Sequence, residues 1–442
     1  MKNRIFTTLL GLIIGIPAFS QTWTLQNAGS GGAGQTSMHV YDANSVWACA
    51  NSGTGGVFTR TSNGGTSWTP GIFNIGNNTR LYNILNISGV NETTAWVMSP
   101  NGSTSPTSTS TLGEVWKTTN GGSSWTKQFT LPSSGIAVHF FDANNGLAIG
   151  SRASVYDIFT TQNGGDSWSQ IPAANVSNPM TETFGYQKYY VIDNVIFICF
   201  YNVVGGVWDY KVYKSTDKGL HWSALPTSFE GGQSHGFLMA WSDVNKGIVF
   251  SQTYSSGTPT DLKIYGTDDG GASWSVVPSS GIPVTTRIDD IAYVPGKNIL
   301  VAGSGDNITK GSWKSMNNGT SWEAIDPGVY HWNVRCAGNN CYSAGWTSAA
   351  QFAAMYKISF RELSTQETKL NWGGIYPNPT KGELYIKTDK KIKSSTVLDA
   401  SGRIVLMADS SKLDLSSFPK GVYVVNIEFG DGTFSSEKII KE

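Results

Sequence analysis

The sequence predicts an all-β fold: a seven-bladed β-propeller followed by a small β-sandwich. A short motif of a hydroxyl residue, Asn or Asp, Gly and Trp recurs six times, and strand–turn–strand patterns precede the motifs. The 442 residues include 51 glycines and 16 tryptophans, and only 14% are charged. Many short strands joined by tight turns account for this pattern and composition.

The repeated motif aligns on its tryptophan, with glycine three positions earlier and Asn or Asp five positions earlier. Fixed motifs separated by variable insertions are typical of a repeat array. The motif residues are Asn63, Gly65 and Trp68; Asn120, Gly122 and Trp125; Asn163, Gly165 and Trp168; Asp217, Gly219 and Trp222; Asp269, Gly271 and Trp274; and Asn317, Gly319 and Trp322.

Each residue type of the motif has a mechanical role in a turn between two strands. Asn or Asp accepts hydrogen bonds from the amides of its own turn. Glycine takes a positive φ without steric cost. Tryptophan buries a large ring between neighbouring sheets. We therefore interpret the six motifs as structural turns rather than as metal or catalytic sites.

The motif resembles the Asp-box of sialidases, sortilin-type receptors and the photosystem II assembly factor family. The order of strand pair and box is most similar to the assembly-factor group. The resemblance implies an Asp-box (BNR-like) propeller. It leaves the function open, because one fold serves many activities.

Four strands per repeat, A to D, are typical of a propeller blade. After the last box, residues 330–346 and 354–359 supply strands A, B and C of a seventh blade. Residues 22–27, "TWTLQN", have the pattern of a D strand without a preceding A–C set. We predict that this N-terminal strand completes the last blade and closes the ring, which removes exposed sheet edges.

The ends of the chain carry predicted export signals. Residues 1–20 combine Lys2 and Arg4, an apolar run and the sequence "AFS", and they predict a signal peptide. The run is too short for a membrane span, so no transmembrane segment is expected in the mature protein. The predicted propeller spans residues 21–360, a linker 361–373 and an Ig-like sandwich 374–442.

The C-terminal landmarks "YPNPTKG", "LDASGR", "LDLSSFPKGVYVVNI" and "KIIK" resemble the type A C-terminal sorting domain of the type IX (Por) secretion system. The resemblance covers residues 375–442. It implies a Bacteroidota-type host and the type IX secretion machinery as a partner. It also implies a protein that is secreted or attached to the outer-membrane surface.

Composition and motifs argue against several function classes. Lys+Arg and Asp+Glu are both 31, so the chain lacks the basic surplus of a nucleic-acid binder. No metal site is expected, since no His/Cys cluster has ligand spacing, and no cofactor motif is present. Cys336 and Cys341 flank the turn-like stretch "AGNN" and could form a hairpin disulfide.

We expect ligand binding on one face of the ring. The A–B turns and box turns share the first face, and the longer D–A and B–C loops, including 201–208 and 252–261, share the second. Long loops on a rigid scaffold carry binding, so the second face is the predicted site. Its candidate ligand-binding residues are Arg152, Glu182, Tyr186, Trp208, His235, Arg287, Asp289, Asp290 and Trp332.

The leading functional hypothesis is a non-enzymatic propeller that binds a carbohydrate or protein ligand. The alternative is a glycan-degrading hydrolase or lyase, which needs two carboxylates about 5–10 Å apart. Asp289 and Asp290 are adjacent, so their side chains should diverge, and Glu182 could be a partner acid. Salt-bridged carboxylates would favour binding. A third hypothesis is an adhesion component with a Ser/Thr-rich loop at 101–113. His39 and His139 occupy equivalent A-strand positions and could line the central channel.

Overall fold

The computed structural model describes most of the chain, as two compact units. The described residues of one unit lie within Gln21–Phe360, and those of the other lie within Arg361–Glu442. The described residues are 22–29, 33–52, 55–76, 83–100, 112–152, 155–177, 185–204, 207–227, 229, 235–306, 309–346, 353–360, 374–399, 403–430 and 434–442.

The first unit is built from seven four-stranded antiparallel sheets in its described residues, and we call each sheet a blade. Blade 1 contains β2 (Ala33–Val40), β3 (Val46–Ser52), β4 (Gly55–Thr61) and β5 (Thr69–Ile72). Blade 2 contains β6 (Asn86–Gly89), β7 (Ala95–Pro100), β8 (Gly113–Thr118) and β9 (Thr126–Thr130). Blade 3 contains β10 (Ser134–Phe140), β11 (Gly146–Arg152), β12 (Val155–Thr161) and β13 (Ser169–Gln170), and a 3₁₀ turn follows at Ala173–Asn175.

The remaining blades repeat this order from the inner strand outward. Blade 4 contains β14 (Gly185–Ile192), β15 (Val195–Val204), β16 (Val207–Ser215) and β17 (Ser223–Ala224). Blade 5 contains β18 (His235–Trp241), β19 (Gly247–Ser255), β20 (Thr258–Thr267) and β21 (Ser275–Val276). Blade 6 contains β22 (Asp290–Tyr293), β23 (Leu300–Ser304), β24 (Gly311–Ser315) and β25 (Glu323–Ala324). Blade 7 contains β26 (Asn333–Ala337), β27 (Asn340–Trp346), β28 (Ala353–Ser359) and, as its outermost strand, β1 (Thr24–Gln26).

The N-terminal strand closes the ring, as the sequence predicts. Strand β1 pairs antiparallel with β28, with Thr24 opposite Lys357 and Gln26 opposite Met355. The inner strand of blade 7, β26, also packs against β2 of blade 1. The predicted all-β propeller closed by its N-terminal strand is therefore confirmed.

A hydrogen-bond network next to β1 joins the N-terminus to blades 6 and 7. The Trp23 indole N–H donates to Ser312 Oγ at 2.8 Å, and its ring stacks on His331 at 4.9 Å. Ser312 bonds Asp326, whose other oxygen lies 2.8 Å from His331 Nε2. His331 is fully buried and its Nδ1 lies 2.7 Å from Ser343 Oγ. The network therefore ties the first strand to both blades that it bridges.

The six box turns share one hydrogen-bond scheme. In the second box, the Gly122 amide donates to Thr118 Oγ1 at 2.9 Å, and the Ser124 amide donates to Asn120 Oδ1 at 3.0 Å. Both bonds recur in the other five boxes. Gly122 has φ +88°, and a Cβ there would lie 2.2 Å from the Phe58 ring. Glycine is therefore required both by the backbone conformation and by the neighbouring blade.

The box turns also position their tryptophans between blades. A backbone amide of each box turn donates to a carbonyl in the A–B turn of its own blade, as in the 2.8 Å bond from Gly164 N to Asn144 O, so both turns lie on the first face. Trp125 of blade 2 is buried and contacts the rings of Trp47, Phe58 and Phe73 in blade 1. Burying this aromatic surface stabilises the contact between sheets.

Two segments that the sequence analysis treats as irregular loops are instead extended hairpins. Strands β15 and β16 pair as far as Val204 opposite Val207. Strands β19 and β20 pair as far as Ser255 opposite Thr258, and the turn has positive φ at Ser256 and Gly257. The loop prediction for 201–208 and 252–261 was wrong because β-branched and aromatic residues continue the strands through both segments.

The second unit is a small sandwich of two sheets. One sheet has the order β29 (Gly374–Tyr376), β30 (Glu383–Lys387), β33 (Lys412–Asp414). The other has the order β32 (Ile404–Ala408), β31 (Ile392–Leu398), β34 (Gly421–Phe429), β35 (Phe434–Lys441). Side chains from both sheets form one core that includes Leu384, Leu413, Val397, Val425 and Ile439. The predicted C-terminal sandwich is confirmed.

Closure by the N-terminal strand predicts a specific loss of stability. We expect Trp23→Ala to lower the free energy of unfolding by about 2 kcal/mol, since it removes ring packing and the donor to Ser312. Leu25→Ala, in the same strand but 59% exposed, should change it by less than about 0.5 kcal/mol. Urea unfolding checks both, and equal effects would contradict a closure that depends on Trp23.

The boxes with aspartate predict acid sensitivity. Hydrogen bonds from the Ser273 hydroxyl and amide, and from the Thr267 hydroxyl, lower the pKa of Asp269 to about 2. This stabilisation is complete above the ordinary aspartate pKa of about 4 and is lost as the pH falls through 2. Asp269→Asn should therefore lose less stability between pH 4 and pH 2 than the parent protein. The matched variant Asn317→Asp should lose more; acid unfolding curves that superimpose for all three proteins would refute this account.

Candidate functional site

The inner strands enclose a central channel of about 770 Å³. Its wall includes residues from β2, β6, β10, β14 and β26, and one end is formed by A–B turn residues such as Asp42, Asp193 and Gly338. The channel therefore extends to the A–B turns of the first face, whereas the sequence analysis placed the binding site on the second. A volume of this size falls within the range of small-ligand pockets.

Side chains of one blade satisfy the inner-strand amides of the next blade. Such amides at the edge of a sheet need partners, because an unpaired buried N–H is costly. Four hydrogen bonds of 2.9–3.0 Å serve this purpose: Gly89 N to His39 Nδ1, Val138 N to Asn86 Oδ1, Phe140 N to Ser88 Oγ, and Val334 N to Asp290 Oδ2. These polar residues thus have a structural role, and two of them, His39 and Asn86, also line the channel.

Two histidines line the channel with rings 5.3 Å apart. Burial, and then the nearby Arg335 guanidinium, lower the pKa of His39 to about 4. Burial, and then the His39 ring, lower the pKa of His139 well below its ordinary value. His139 is 4% exposed, and its Nδ1 has no hydrogen-bond partner in the part of the chain that the structure describes. Both rings are neutral at pH 7, and His139 offers an unused polar atom.

An ion pair between blades 6 and 7 supplies the positive charge of the channel. Arg335 Nη1 contacts Asp290, which is 1% exposed, and it also donates to the Val334 carbonyl at 2.7 Å. Burial opposes the charge of Arg335, but the Asp290 carboxylate outweighs it and raises the pKa of the guanidinium. The Nε and Nη2 atoms of Arg335 have no hydrogen-bond partner among the described residues, and 27% of the side chain is exposed. This guanidinium can bind an anionic group.

The predicted acids Asp289 and Asp290 diverge, as expected for neighbours on a strand. Asp289 pairs with Arg287 at 2.9 Å and accepts the Gly305 amide at 2.7 Å. Gly305 lies against the Trp332 ring. The structure thus brings Arg287, Asp289 and Trp332 together around blades 6 and 7, while Asp290 points to Arg335.

Trp208, another predicted ligand-binding residue, does not join this group. Trp208 stacks on Tyr201 of its own blade, with ring centroids 4.4 Å apart. Arg152 ends β11, Tyr186 lies in β14 and His235 begins β18. Glu182, the candidate partner acid, lies outside the described residues, as do residues 101–111 of the Ser/Thr-rich loop and the predicted signal peptide.

Sequence reasoning missed Arg335, Tyr189 and Asn86 as channel residues. Tyr189 accepts a 3.2 Å hydrogen bond from Asn86 Nδ2, although the two residues belong to blades 4 and 2. The sequence position could have identified them, because channel residues lie a few residues before the A–B turn of their blade, as His39 and His139 do. Insertions between the repeats hid the equivalent positions in β14 and β26.

The cysteines and the acids show no metal chemistry in the described residues. Cys336 and Cys341 form a disulfide across the β26–β27 hairpin, and Cys49 and Cys199 are buried. Within the described ranges, no group of three or more His, Cys, Asp or Glu side chains is placed to hold a metal ion. No helix among them has the length and apolar character needed to cross a membrane.

The buried histidines predict a pH-dependent stability. Unfolded histidine binds protons near pH 6.5, whereas folded His39 does so near pH 4. Its contribution is therefore complete above pH 6.5 and is lost as the pH falls through 4. We expect His39→Gln to reduce the loss of stability over this window by about 1–3 kcal/mol. The smaller values apply if water in the channel screens the charged ring. Unfolding at pH 7 and pH 4.5 measures this, and an unchanged difference would contradict a neutral buried ring.

Comparison with known proteins supports both units. Residues 374–442 match the family model of the secretion system C-terminal sorting domain. No curated protein sequence matches the chain. A structure of YCF48 bound to D1 peptide aligns with a TM-score of 0.51 at 15% identity, over 77% of this chain and 97% of that one.

Two further solved structures have the same fold. YCF48 from Cyanidioschyzon merolae aligns with a TM-score of 0.53 at 15% identity, over 76% of this chain and 99% of that one. The GH74 xyloglucanase from Xanthomonas campestris aligns with a TM-score of 0.51 at 12% identity, over 75% of this chain and 55% of that one. At these identities the likeness shows the fold and does not transfer an activity.

The chain therefore combines a BNR-like β-propeller with a secretion system C-terminal sorting domain, and the sorting domain indicates export by the type IX system to the cell surface or beyond it.

Proposed function

We propose that this exported propeller is a binding protein whose central channel receives a protein segment that carries a carboxylate. The ligand is bound and released without chemical change. The sorting domain delivers the propeller outside the cell, where it is either released or held at the outer surface. The proposal keeps the binding hypothesis from the sequence and moves its site from the second face to the channel.

The observation that carries this proposal is the guanidinium of Arg335 inside the channel. Its position is fixed through Nη1, while Nε and Nη2 remain without partners among the described residues. A guanidinium with two adjacent free N–H groups matches a carboxylate in a bidentate geometry. His139 and Tyr189 line the same channel and can contact the rest of the ligand.

The arrangement of the acids supports binding over hydrolysis. A glycosidase needs one acid that is free to donate a proton and a second that acts as base or nucleophile. Asp289 is held by Arg287 and a backbone amide, and Asp290 is held by Arg335 and a backbone amide. Each carboxylate is thus committed to an ion pair, and the two face different surroundings. A structure of similar fold, YCF48, is bound to D1 peptide, and this supports a peptide ligand for the present propeller.

A binding screen tests the proposed ligand class. The purified protein would be screened against peptides in free-acid and amidated forms and against a glycan array. We expect free-acid peptides to bind, and we expect Arg335→Lys to weaken them about tenfold, since lysine keeps the charge but loses the planar fork. Arg287→Lys on the second face is the matched control and should leave affinity unchanged.

Two results would overturn this assignment. Exclusive binding of glycans would replace the protein ligand, and an effect of Arg287→Lys without one of Arg335→Lys would return the site to the second face. Thermal unfolding of both variants shows whether each remains folded.

A turnover assay tests the absence of catalysis separately. The protein incubated with a panel of plant and bacterial polysaccharides should release no new reducing ends. Reducing ends that disappear in Asp289→Asn or Asp290→Asn, with folding intact, would establish the hydrolase alternative.

A further inference from the structure

A second cavity, of about 190 Å³, lies between blades 3 and 4. It shares no lining residue with the central channel. Its wall is mainly apolar and aromatic, and its polar members are an acid and an amide. The residues that matter here are Tyr156, Asp157, Gln170, Phe200, Tyr213 and Trp222.

The carboxylate in this cavity is buried and only half satisfied. Asp157 is 3% exposed. Its Oδ1 accepts a 3.0 Å hydrogen bond from Gln170 Nε2. Its Oδ2 is also buried, and it has no hydrogen-bond partner in the described part of the chain. A buried carboxylate oxygen without a partner costs folding free energy, so such a group calls for a ligand or a functional reason.

Blade 2 shows one way in which an acid at this position is satisfied. Glu114 of blade 2 lies four residues before its box threonine, as Asp157 of blade 3 does, and it is equally buried. Both oxygens of Glu114 are used: Lys127 Nζ lies 3.2 Å from Oε1, and the Trp116 indole donates to Oε2 at 3.0 Å.

The lysine partner is missing from blade 3. Lys127 lies two residues after its box tryptophan, and Gln170 occupies the same position after Trp168. Blade 3 has therefore retained the buried acid but carries a neutral amide where blade 2 carries an ammonium group. The two blades share strand pairing at this point, since Lys127 lies opposite Trp116 and Gln170 lies opposite Phe159.

We propose that the cavity between blades 3 and 4 binds a small organic ammonium ion, whose nitrogen takes the place of the missing lysine ammonium beside Asp157. The rings around it favour this ligand class, because aromatic faces attract cations. Tyr156 and Phe200 stack with centroids 3.9 Å apart, and Phe200 meets Tyr213 edge to face at 6.0 Å. The apolar wall accommodates the organic part of the ligand. This site is independent of the function proposed for the channel.

Calorimetry with two probes of equal size tests the site in the full-length protein. Benzylammonium and benzyl alcohol differ mainly in charge. We expect benzylammonium to bind at least about tenfold more tightly, and we expect Asp157→Asn to abolish this preference. Glu114→Gln is the matched change in blade 2. It should leave the preference intact, because Lys127 already occupies the place of the ammonium group beside Glu114.

A second variant keeps the test decisive if Asp157→Asn does not fold. Gln170→Lys installs the lysine of blade 2, so it should raise the melting temperature and block benzylammonium. Equal affinity for the two probes, no binding of either, or unchanged discrimination in both Asp157→Asn and Gln170→Lys would overturn the proposal.

Discussion

The hydrogen bond from a glycine amide to the hydroxyl of the box Thr or Ser is the interaction on which the propeller depends. It occurs in all six boxes at 2.8–3.0 Å. It closes a turn that requires one residue in the left-handed backbone conformation. Glycine occupies that position each time, with φ between +86° and +94°. The turn then places a tryptophan against the preceding blade. One local device, repeated, thus sets both the shape of each sheet and its packing on the next.

Because the box turns fix the backbone of each blade, residues outside the boxes can differ from blade to blade. Such positions can acquire side chains that bind a ligand. Inner-strand positions carry His39, Ser88 and Asp290 in different blades, and each caps an amide of the following blade. The same geometry therefore carries a different polar group on the inner strand of each of these blades. Glu114 with Lys127 is a satisfied pair, whereas the equivalent Asp157 with Gln170 leaves one carboxylate oxygen without a hydrogen-bond partner among the described residues.

Local patterns in the sequence were sufficient to predict the propeller, its closure and the sandwich. Each box lies within eight residues, and the N-terminal strand was recognisable because it had no partner in its own repeat. The channel pair Asp290–Arg335 could not be predicted in this way, since it joins residues 45 positions apart in sequence. The extended hairpins at 201–208 and 252–261 were missed for a different reason, because Asn, Gly and Ser within them suggested loops although the flanking residues favour strands. The lining of the channel depends on side-chain packing among the blades, which a single sequence does not specify.

The two units have separate hydrophobic cores. The sandwich core of Leu384, Val397 and Val425 belongs wholly to residues 374–442. The ring has its own cores between adjacent blades. The chemistry that addresses the protein to the type IX system is therefore built from different residues than the chemistry of the channel.

Amide hydrogen exchange of the six box glycines, followed by NMR, tests the role of the box turn most directly. If the glycine-to-hydroxyl bond organises the ring, the amides of Gly65, Gly122, Gly165, Gly219, Gly271 and Gly319 should exchange as slowly as amides inside the strands, although they lie in turns. Exchange of these six amides at the rate of open loops would contradict the account, because the turns would then be consequences of the fold and not its cause.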